Sequence, residues 1–166
     1  VARVRFMVET LGAVDGLIVV RAGPVVTITI DRPEVMNAMT SEMFSDFGRI
    51  CREVSNDSQV RAVIVTGSGE NFCSGADVGA QGQRSGVEER PHQLRAMRQI
   101  SETVIALHEL QHPVIAKVRG VAVGAGLNLA LGCDMVVASE TARFSEIFAR
   151  RALSLDFGGS WLLPRQ

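Results

Sequence analysis

The stretch from Val114 to Ala138 reads VIAKVRGVAVGAGLNLALGCDMVVA, and it decides the expected fold. Its first five residues are mostly β-branched and apolar, which predicts a buried strand. A glycine-rich turn follows, and residues 127–131 then predict a helix that is apolar nearly all round and therefore buried. Gly132 ends this helix, and Met135–Ala138 is predicted to be another buried strand. Strand, turn, buried helix and strand in this order are typical of an α/β fold.

The glycine turn at residues 120–126 is a candidate oxyanion site. Gly120, Gly124 and Gly126 allow backbone N–H groups to approach a ligand without a side chain in the way. The turn also leads into a helix, whose free N-terminal amides favour negative charge. We therefore expect the turn to bind an oxyanion.

Length and composition describe an ordinary globular domain. The chain has 166 residues, of which 46% are hydrophobic and 21% charged, enough for one domain with a real core. A net charge of −1 gives no electrostatic footprint for nucleic acid or an anionic membrane. The three cysteines lack metal-like spacing and no signal-peptide layout is recognisable, so a reducing, cytoplasmic location is expected.

The order of elements predicts a mainly parallel sheet. Residues 1–16 are interpreted as a lead-in segment and residues 17–166 as one core domain, which begins with a β-hairpin over 17–30. A helix is predicted from Thr40 or Ser41 to Val54, then a buried strand at 62–66 and a helix after Pro91. The predicted buried residues of this last helix are Leu94, Met97, Ile100, Val104, Ile105 and Leu107. Strands that alternate with helices place ligands at loops beyond the strands' carboxyl ends, here the loops at 67–82 and 118–126.

The segment HELQH, from His108 to His112, matches the HExxH pattern of zinc peptidases. On one helix face two His would bind zinc and the Glu would act as base, with Glu140 or Glu146 as a third ligand. Pro113 follows the second His directly, so the helix is expected to end where the motif needs it intact. A solvated helix end is therefore favoured over a zinc site.

Three further interpretations concern the glycine-rich loops. GVAVGAG does not have the GxGxxG spacing of dinucleotide-binding turns, because Leu129 stands where the last glycine belongs. Cys73 and Ser74 are candidate acyl-transfer nucleophiles, yet no His occupies an evident partner position and GxSxG is absent. One N–H from each loop could instead converge on a single carbonyl oxygen, a kind of donor commonly worth about 2.7–4 kcal/mol. Two tight turns that serve packing alone are the alternative.

From about Ile18 onward the sequence resembles the crotonase family, the enoyl-CoA hydratase/isomerase superfamily. The segments that carry the resemblance are ITIDRPEVMNAM, AVIVTGSGENFCSGADV, HPVIAKVRGVAVGAGLNLALGCDMVVAS, ARFSEIF and DFGGSWLLPR. The resemblance implies a crotonase-like spiral of ββα units with a mainly parallel sheet, and an acyl-CoA substrate. Since coenzyme A arrives as part of the substrate, it implies no resident cofactor and no metal.

The resemblance also implies site residues. The N–H groups of Ala76 and Ala125 would form an oxyanion hole. Ala38 and the backbone around Ala76 and Asp77 would line the pantetheine and adenine site. Hydratases of this family have one catalytic Glu at the position of Asn128, which leaves Asn128 a positioning role here.

The second hydratase Glu belongs at the position of Phe148. Glu146 stands two residues early, and on a helix its side chain would be turned about 200° away. Asp156, directly before FGGSW, stands where isomerases resembling this sequence keep a catalytic Asp, although a helix N-cap is the alternative. We therefore expect enoyl-CoA isomerisation with Asp156 as the proton shuttle.

Other outcomes stay open. Hydration of a 2-enoyl-CoA is the runner-up, a non-catalytic acyl-CoA-binding homologue is another class, and hydrolysis or dehalogenation is compatible with Asp156. Family members continue past residue 166 into helices that cover the site, so the C-terminal helical part is expected to be absent or truncated. The resemblance and the apolar residues Trp161, Leu162 and Leu163 predict a homo-oligomer, a trimer or a dimer of trimers.

Overall fold

A six-stranded sheet forms the centre of the computed structural model, which describes residues 8–77 and 93–165. Its strands are β1 Val8–Val14, β2 Leu17–Ala22, β3 Val25–Ile30, β4 Ala62–Gly67, β5 Val114–Val118 and β7 Met135–Ala138. The order is β1-β2-β3-β4-β5-β7; the first three strands are antiparallel, and β3, β4, β5 and β7 are parallel. A second sheet pairs β6 (Val121–Val123) with β8 (Arg143–Ser145) in parallel. The predicted hairpin and the mainly parallel sheet are confirmed.

Four α-helices accompany the sheets in the described residues. They are α1 Ser41–Ser55, α2 Gln93–His108, α3 Ala125–Leu131 and α4 Gly159–Leu162, with 3-10 turns at Pro33–Val35, Ile147–Arg151 and Leu163–Arg165. Helix α1 begins as predicted, because the Thr40 hydroxyl accepts a hydrogen bond from the Met43 N–H at 3.2 Å. None of the helices among the described residues has the length and apolar character needed to cross a bilayer.

The core lies between the sheet and the helices. Phe44 and Phe47 of α1 are buried there, and the Thr103 hydroxyl of α2 donates to the Phe44 carbonyl at 2.8 Å. A Cβ at Gly48 would lie 3.1 Å from the Thr103 Cα, so the two helices approach closely at this glycine. All three cysteines are free and buried, and Cys133 is a small core residue as expected.

Part of the lead-in segment, Val8–Val14, forms edge strand β1 and pairs with β2. Two expectations about individual residues and elements were wrong. Ile105 was predicted to be buried but is 52% exposed, because α2 turns Thr103 and Ala106 toward the core instead. Strand β7 was predicted to be buried, yet all four of its residues are exposed. It is the last strand of the six-stranded sheet, and no described element covers it fully. The predicted side chains of Leu94 and Met97 lie outside the described residues.

Candidate active site

The loops that follow β4 and β5 lie against each other. The Cys73 N–H donates to the Val121 carbonyl, and the Val123 N–H donates to the Cys73 carbonyl, both at 3.0 Å. Gly126 packs so closely that a Cβ there would lie 2.3 Å from the Cys73 carbonyl oxygen. The two glycine-rich loops, 72–77 and 119–126, are therefore joined by hydrogen bonds and pack tightly against each other, which is the arrangement that a shared oxyanion site needs.

Ala76 presents its N–H on the side of the loop that faces away from Met39. The Met39 N–H donates to the Gly75 carbonyl at 2.9 Å, and the Asp77 N–H donates to the Met39 carbonyl at 2.8 Å. In such a parallel bridge the N–H of the residue between, Ala76, points in the opposite direction. A Cβ at Gly75 would lie 3.6 Å from the Ala125 nitrogen, so the Ala76 and Ala125 amides belong to neighbouring backbone segments.

Ala125 is the first residue of α3, after Gly124 with φ of 55°. An N–H in the first turn of a helix has no partner within the helix. Neither the Ala125 N–H nor the Ala76 N–H donates a hydrogen bond to another described residue. The two loops thus supply two unused backbone donors, which is the donor set that a carbonyl oxygen developing negative charge requires.

Asn128 lies one turn after Ala125 on α3 and is completely buried. Its side chain packs on the backbone of α4, since a Cβ at Gly159 would lie 2.5 Å from both Nδ2 and Oδ1. The Asn128 Nδ2 donates to the Asp156 carbonyl at 3.0 Å and lies 3.4 Å from the Asp156 Oδ1. Asn128 therefore fixes Asp156, by both its backbone and its carboxylate, beside the helix that carries the Ala125 amide.

Asp156 is half-buried in this position. Burial raises the pKa of its carboxyl group above the ordinary value, and the hydrogen bond from Asn128 opposes that rise. The N-cap of α4 is Gly158 rather than Asp156, and no side chain caps that helix. The N-cap interpretation of Asp156 is therefore wrong, and its carboxylate is held by Asn128 instead.

Glu146 is the site residue that sequence reasoning missed. The expectation that its side chain turns away assumed a continuous helix, but Glu146 joins strand β8 to a 3-10 turn. Both of its carboxylate oxygens are shielded from solvent and have no hydrogen-bond partner among the described residues. Burial and then the charge of Asp156 raise the pKa of Glu146, while contact with the Asn128 amide opposes the rise. Two carboxyl groups therefore face the same amide.

The predicted coenzyme A residues come together on the other side of the 72–77 loop. Arg32 Nη1 donates to the Ala38 carbonyl at 2.7 Å and to the Asp77 carboxylate at 2.9 Å. Because Met39 bridges to Ala76, these residues lie together on the Met39 side of the loop, opposite to the direction of the Ala76 N–H. Their part in binding a ligand stays a prediction.

The model of the enoyl-CoA hydratase/isomerase family matches residues 21–166 of this chain. The chain belongs to that family. A probable enoyl-CoA hydratase of Rhodobacter capsulatus is 41% identical over 140 residues, which cover 84% of this chain and 52% of the relative. The 1,2-epoxyphenylacetyl-CoA isomerase of Escherichia coli is 37% identical over 141 residues, 85% of this chain and 54% of the relative.

Solved structures show the same crotonase fold. A putative enoyl-CoA hydratase of Thermobifida fusca in complex with acetoacetyl-CoA matches with a TM-score of 0.79 and 33% identity over 90% of this chain and 61% of that one. A putative enoyl-CoA hydratase of Streptomyces coelicolor matches with a TM-score of 0.81 and 39% identity over 90% of this chain and 55% of that one. The chain spans about half the length of the curated relatives it matches.

Within this enoyl-CoA hydratase/isomerase chain, Phe148 occupies the position expected for a hydratase glutamate. Its ring is buried and lies against the glycine turn, 3.6 Å from where a Cβ of Gly124 would be. A hydrocarbon ring at this place neither donates nor accepts a proton. The position therefore contributes packing on the oxyanion turn rather than acid–base chemistry.

The remaining motifs do not form a site. Helix α2 ends at His108, so the two histidines of HELQH do not share one helix face, and no metal-binding group of three or more His, Cys, Asp or Glu occurs in residues 8–77 and 93–165. Burial raises the pKa of the Cys73 thiol to about 12, which keeps it protonated near neutral pH. The Ser74 hydroxyl donates to the Val35 carbonyl at 3.3 Å. Cys73 and Ser74 are therefore loop residues, as the preferred interpretation had it.

Proposed function

We propose that this chain carries the site of an enzyme that moves the double bond of an enoyl-CoA ester. The observation that supports it is the Asp156 carboxylate, which Asn128 holds beside α3, the helix whose first amide is that of Ala125. Ala125 and Asn128 are three residues apart, which is about 4.5 Å along a helix axis. A base is thus placed within reach of a substrate whose thioester oxygen sits on the Ala125 amide.

The reaction needs one base and two amides. The thioester oxygen accepts hydrogen bonds from the Ala76 and Ala125 N–H groups, and Asp156 takes a proton from the carbon next to the thioester carbonyl. The electron pair of that C–H bond moves into a dienolate, whose negative charge gathers on the oxygen between the two amides. Asp156 then returns the proton to the far carbon of the dienolate, and the double bond becomes conjugated with the thioester. The Asn128 amide takes up no proton at neutral pH, so its role is to orient Asp156.

Hydration is the second candidate, since most of the relatives named above are called hydratases. Addition of water needs one group that activates water and another that delivers a proton to carbon. At the two positions where family hydratases keep glutamates, this chain has an amide, Asn128, and a buried ring, Phe148. The nearby Glu146 has both oxygens shielded from solvent, so it is poorly placed to activate water. These features favour isomerisation.

Substrate binding is assigned to the surface that Ala38, Ala76 and Asp77 form with Arg32. The acetoacetyl-CoA in the Thermobifida fusca structure supports an acyl-CoA ester as the ligand. Since two backbone amides and one carboxyl group suffice for this chemistry, the proposed reaction uses no resident cofactor and no metal. Coenzyme A takes part only as the carrier of the acyl group.

The proposed enzyme is a homo-oligomer. Large apolar side chains are exposed on β7, on β8 and after residue 152, which is unusual for a surface that stays in water. They are Met135, Val136, Val137, Phe144, Leu153, Leu155, Trp161 and Leu163. Association of subunits through this surface, as a trimer, is the arrangement that the family resemblance implies. Sedimentation of the full-length protein tests it, and a monomer at all concentrations would contradict it.

Rates with two substrates test the proposed reaction. We expect the full-length protein to isomerise a 3-enoyl-CoA much faster than it hydrates the matching 2-enoyl-CoA. Asp156→Asn should lower the isomerisation rate by about 10²–10⁴-fold, the usual contribution of a general base. Glu140→Gln is the matched control, because Glu140 is exposed and the change removes the same charge. Rapid hydration that survives Asp156→Ala would overturn the proposal.

A further inference from the structure

Glu146 is the acidic residue in the site that the proposed reaction does not use. The preceding residue, Ser145, accepts a hydrogen bond from the Gly124 N–H at 2.9 Å, which ties this segment to the turn that presents the Ala125 amide. Phe148 packs on the same turn. The residues on both sides of Glu146 are therefore anchored to the turn that presents the Ala125 amide, and this fixes where the Glu146 backbone lies.

The surroundings of Glu146 favour its neutral form. Both carboxylate oxygens are inaccessible to solvent and accept no hydrogen bond from the described residues. The Asn128 Nδ2 donates its hydrogen bonds to Asp156 and not to Glu146. No described Lys, Arg or His forms an ion pair with Glu146 or Asp156. A shielded carboxylate without donors or a cation is costly, and a second carboxylate beside it adds repulsion.

A protonated Glu146 also fits an unused acceptor in the site. The Asn128 Oδ1 is buried and accepts no hydrogen bond among the described residues. An ionised Glu146 cannot donate a hydrogen bond to the Asn128 Oδ1, because a carboxylate only accepts hydrogen bonds. A protonated carboxyl group carries one O–H donor. When Glu146 holds a proton, its O–H group can donate to the Asn128 Oδ1, while the Asn128 Nδ2 stabilises the negative charge on Asp156.

We propose that Glu146 is the proton-bearing partner of Asp156, so that the pair carries a single negative charge, located on the Asp156 base. This role rests on the proposed isomerisation, in which Asp156 must be ionised to take the substrate proton. Glu146 acts through Asp156 and Asn128 and is a positioning residue. Its neutral form leaves the basic carboxylate next to an amide rather than next to a second anion.

The proposal makes activity depend on pH in a defined direction. The groups that alter the charge of Glu146 are Asp156, which faces it from the segment before α4, and the Asn128 amide, which faces it from α3. When alkaline pH ionises Glu146, the new negative charge makes Asp156 hold its proton more tightly and repels the forming dienolate. The rate should therefore fall on the alkaline side, at the pKa of Glu146.

A titration without substrate tests the protonation itself. Carboxyl carbon NMR of the full-length protein should show Glu146 titrating above Asp156 and above the ordinary range of a glutamate. In Asp156→Asn the Glu146 transition should move to lower pH, because the neighbouring charge is gone. A Glu146 that titrates at or below Asp156 would overturn the proposal, whatever reaction the enzyme catalyses.

Kinetics test the consequence. Glu146→Gln, which copies the neutral form, should lower kcat/KM by less than about tenfold, against about 10²–10⁴-fold for Asp156→Asn, and should remove the alkaline fall in rate. Glu140→Gln should keep that fall. A Glu146→Gln enzyme that keeps the alkaline fall, or that loses as much activity as Asp156→Asn, would contradict the positioning role. A wild-type enzyme without isomerase activity would contradict the proposed reaction instead, and the titration would still decide the protonation.

Discussion

Gly126→Ala should separate the two loops that form the proposed oxyanion hole. Gly126 does not have a positive φ, so an alanine there would be strained only by lack of space. Its Cβ would lie 2.3 Å from the Cys73 carbonyl oxygen, whereas ordinary contact begins at 3.4 Å, so the carbonyl must move by 3.4 − 2.3 = 1.1 Å. The neighbour is backbone, which cannot turn aside as the end of a side chain can.

The structure sets the size of the effect. The Cys73 carbonyl accepts the Val123 N–H at 3.0 Å, so a shift of that carbonyl weakens a hydrogen bond that joins the loops. Overpacking costs about 1–3 kcal/mol and a lost hydrogen bond about 0.5–1.5 kcal/mol, so we expect unfolding to become easier by about 2–4 kcal/mol. A displacement of about 1 Å at a reacting group can cost about 10²-fold in rate.

Urea unfolding and kcat/KM for a 3-enoyl-CoA measure the two effects. Gly132→Ala is the matched control, since it lies at the other end of α3 and its Cβ would lie 3.2 Å from the Leu107 Cδ2 and 3.3 Å from the Asn128 carbonyl oxygen. Contacts of this length need a shift of only a few tenths of an ångström, so we expect a change in stability within about 1 kcal/mol and a nearly normal rate. Equal stability and equal rate for the two variants would refute the claim that Gly126 holds the loops together.

Three further predictions concern the polar residues. Asn128→Ala removes the hydrogen bond that lowers the pKa of Asp156, so the acid limb of the pH–kcat/KM profile should move to higher pH; an unmoved limb would contradict this. Asp156→Asn should raise Tm near pH 7, because burial raises the pKa of Asp156 in the folded state, so the ionised carboxyl group destabilises the fold at pH values above that pKa. The gain in Tm should vanish in melts below the pKa of Asp in the unfolded chain, about 3.9. A gain in Tm that persists at such a low pH would contradict this explanation. Arg32→Met removes the link between Ala38 and Asp77 and should raise KM for the acyl-CoA by about tenfold with a smaller effect on kcat, whereas a loss in kcat alone would speak against a binding role.

Local signals in the sequence were enough to predict much of the fold. Thr40 followed by an apolar face predicts α1, and Thr40 does cap that helix. Alternating strands and helices predict the parallel strands, and with them the meeting of the two glycine-rich loops at one edge. These features depend on periodicity and turn residues, which each segment carries by itself.

The predictions that were wrong concern properties that depend on residues distant in the sequence. An apolar run such as Met135–Ala138 predicts a strand but does not reveal which layer covers it, and here it is exposed at the sheet edge. The position of Glu146 was judged by helical geometry, whereas the chain there leaves a strand and enters a 3-10 turn. A signal was present in the short segment Arg143–Ser145, whose strand character breaks the assumed helix.

Following a labelled hydrogen shows whether Asp156 alone moves a proton between two carbons of the substrate. The substrate is a 3-enoyl-CoA with deuterium at C2, the carbon next to the thioester carbonyl, and the product is examined by NMR. A single carboxyl group that takes up and returns the proton should place part of the deuterium at C4, and Asp156→Asn should slow the conversion by about 10²–10⁴-fold. A product whose new hydrogen at C4 comes from water alone, or conversion at the wild-type rate by Asp156→Asn, would contradict the proposed role of Asp156.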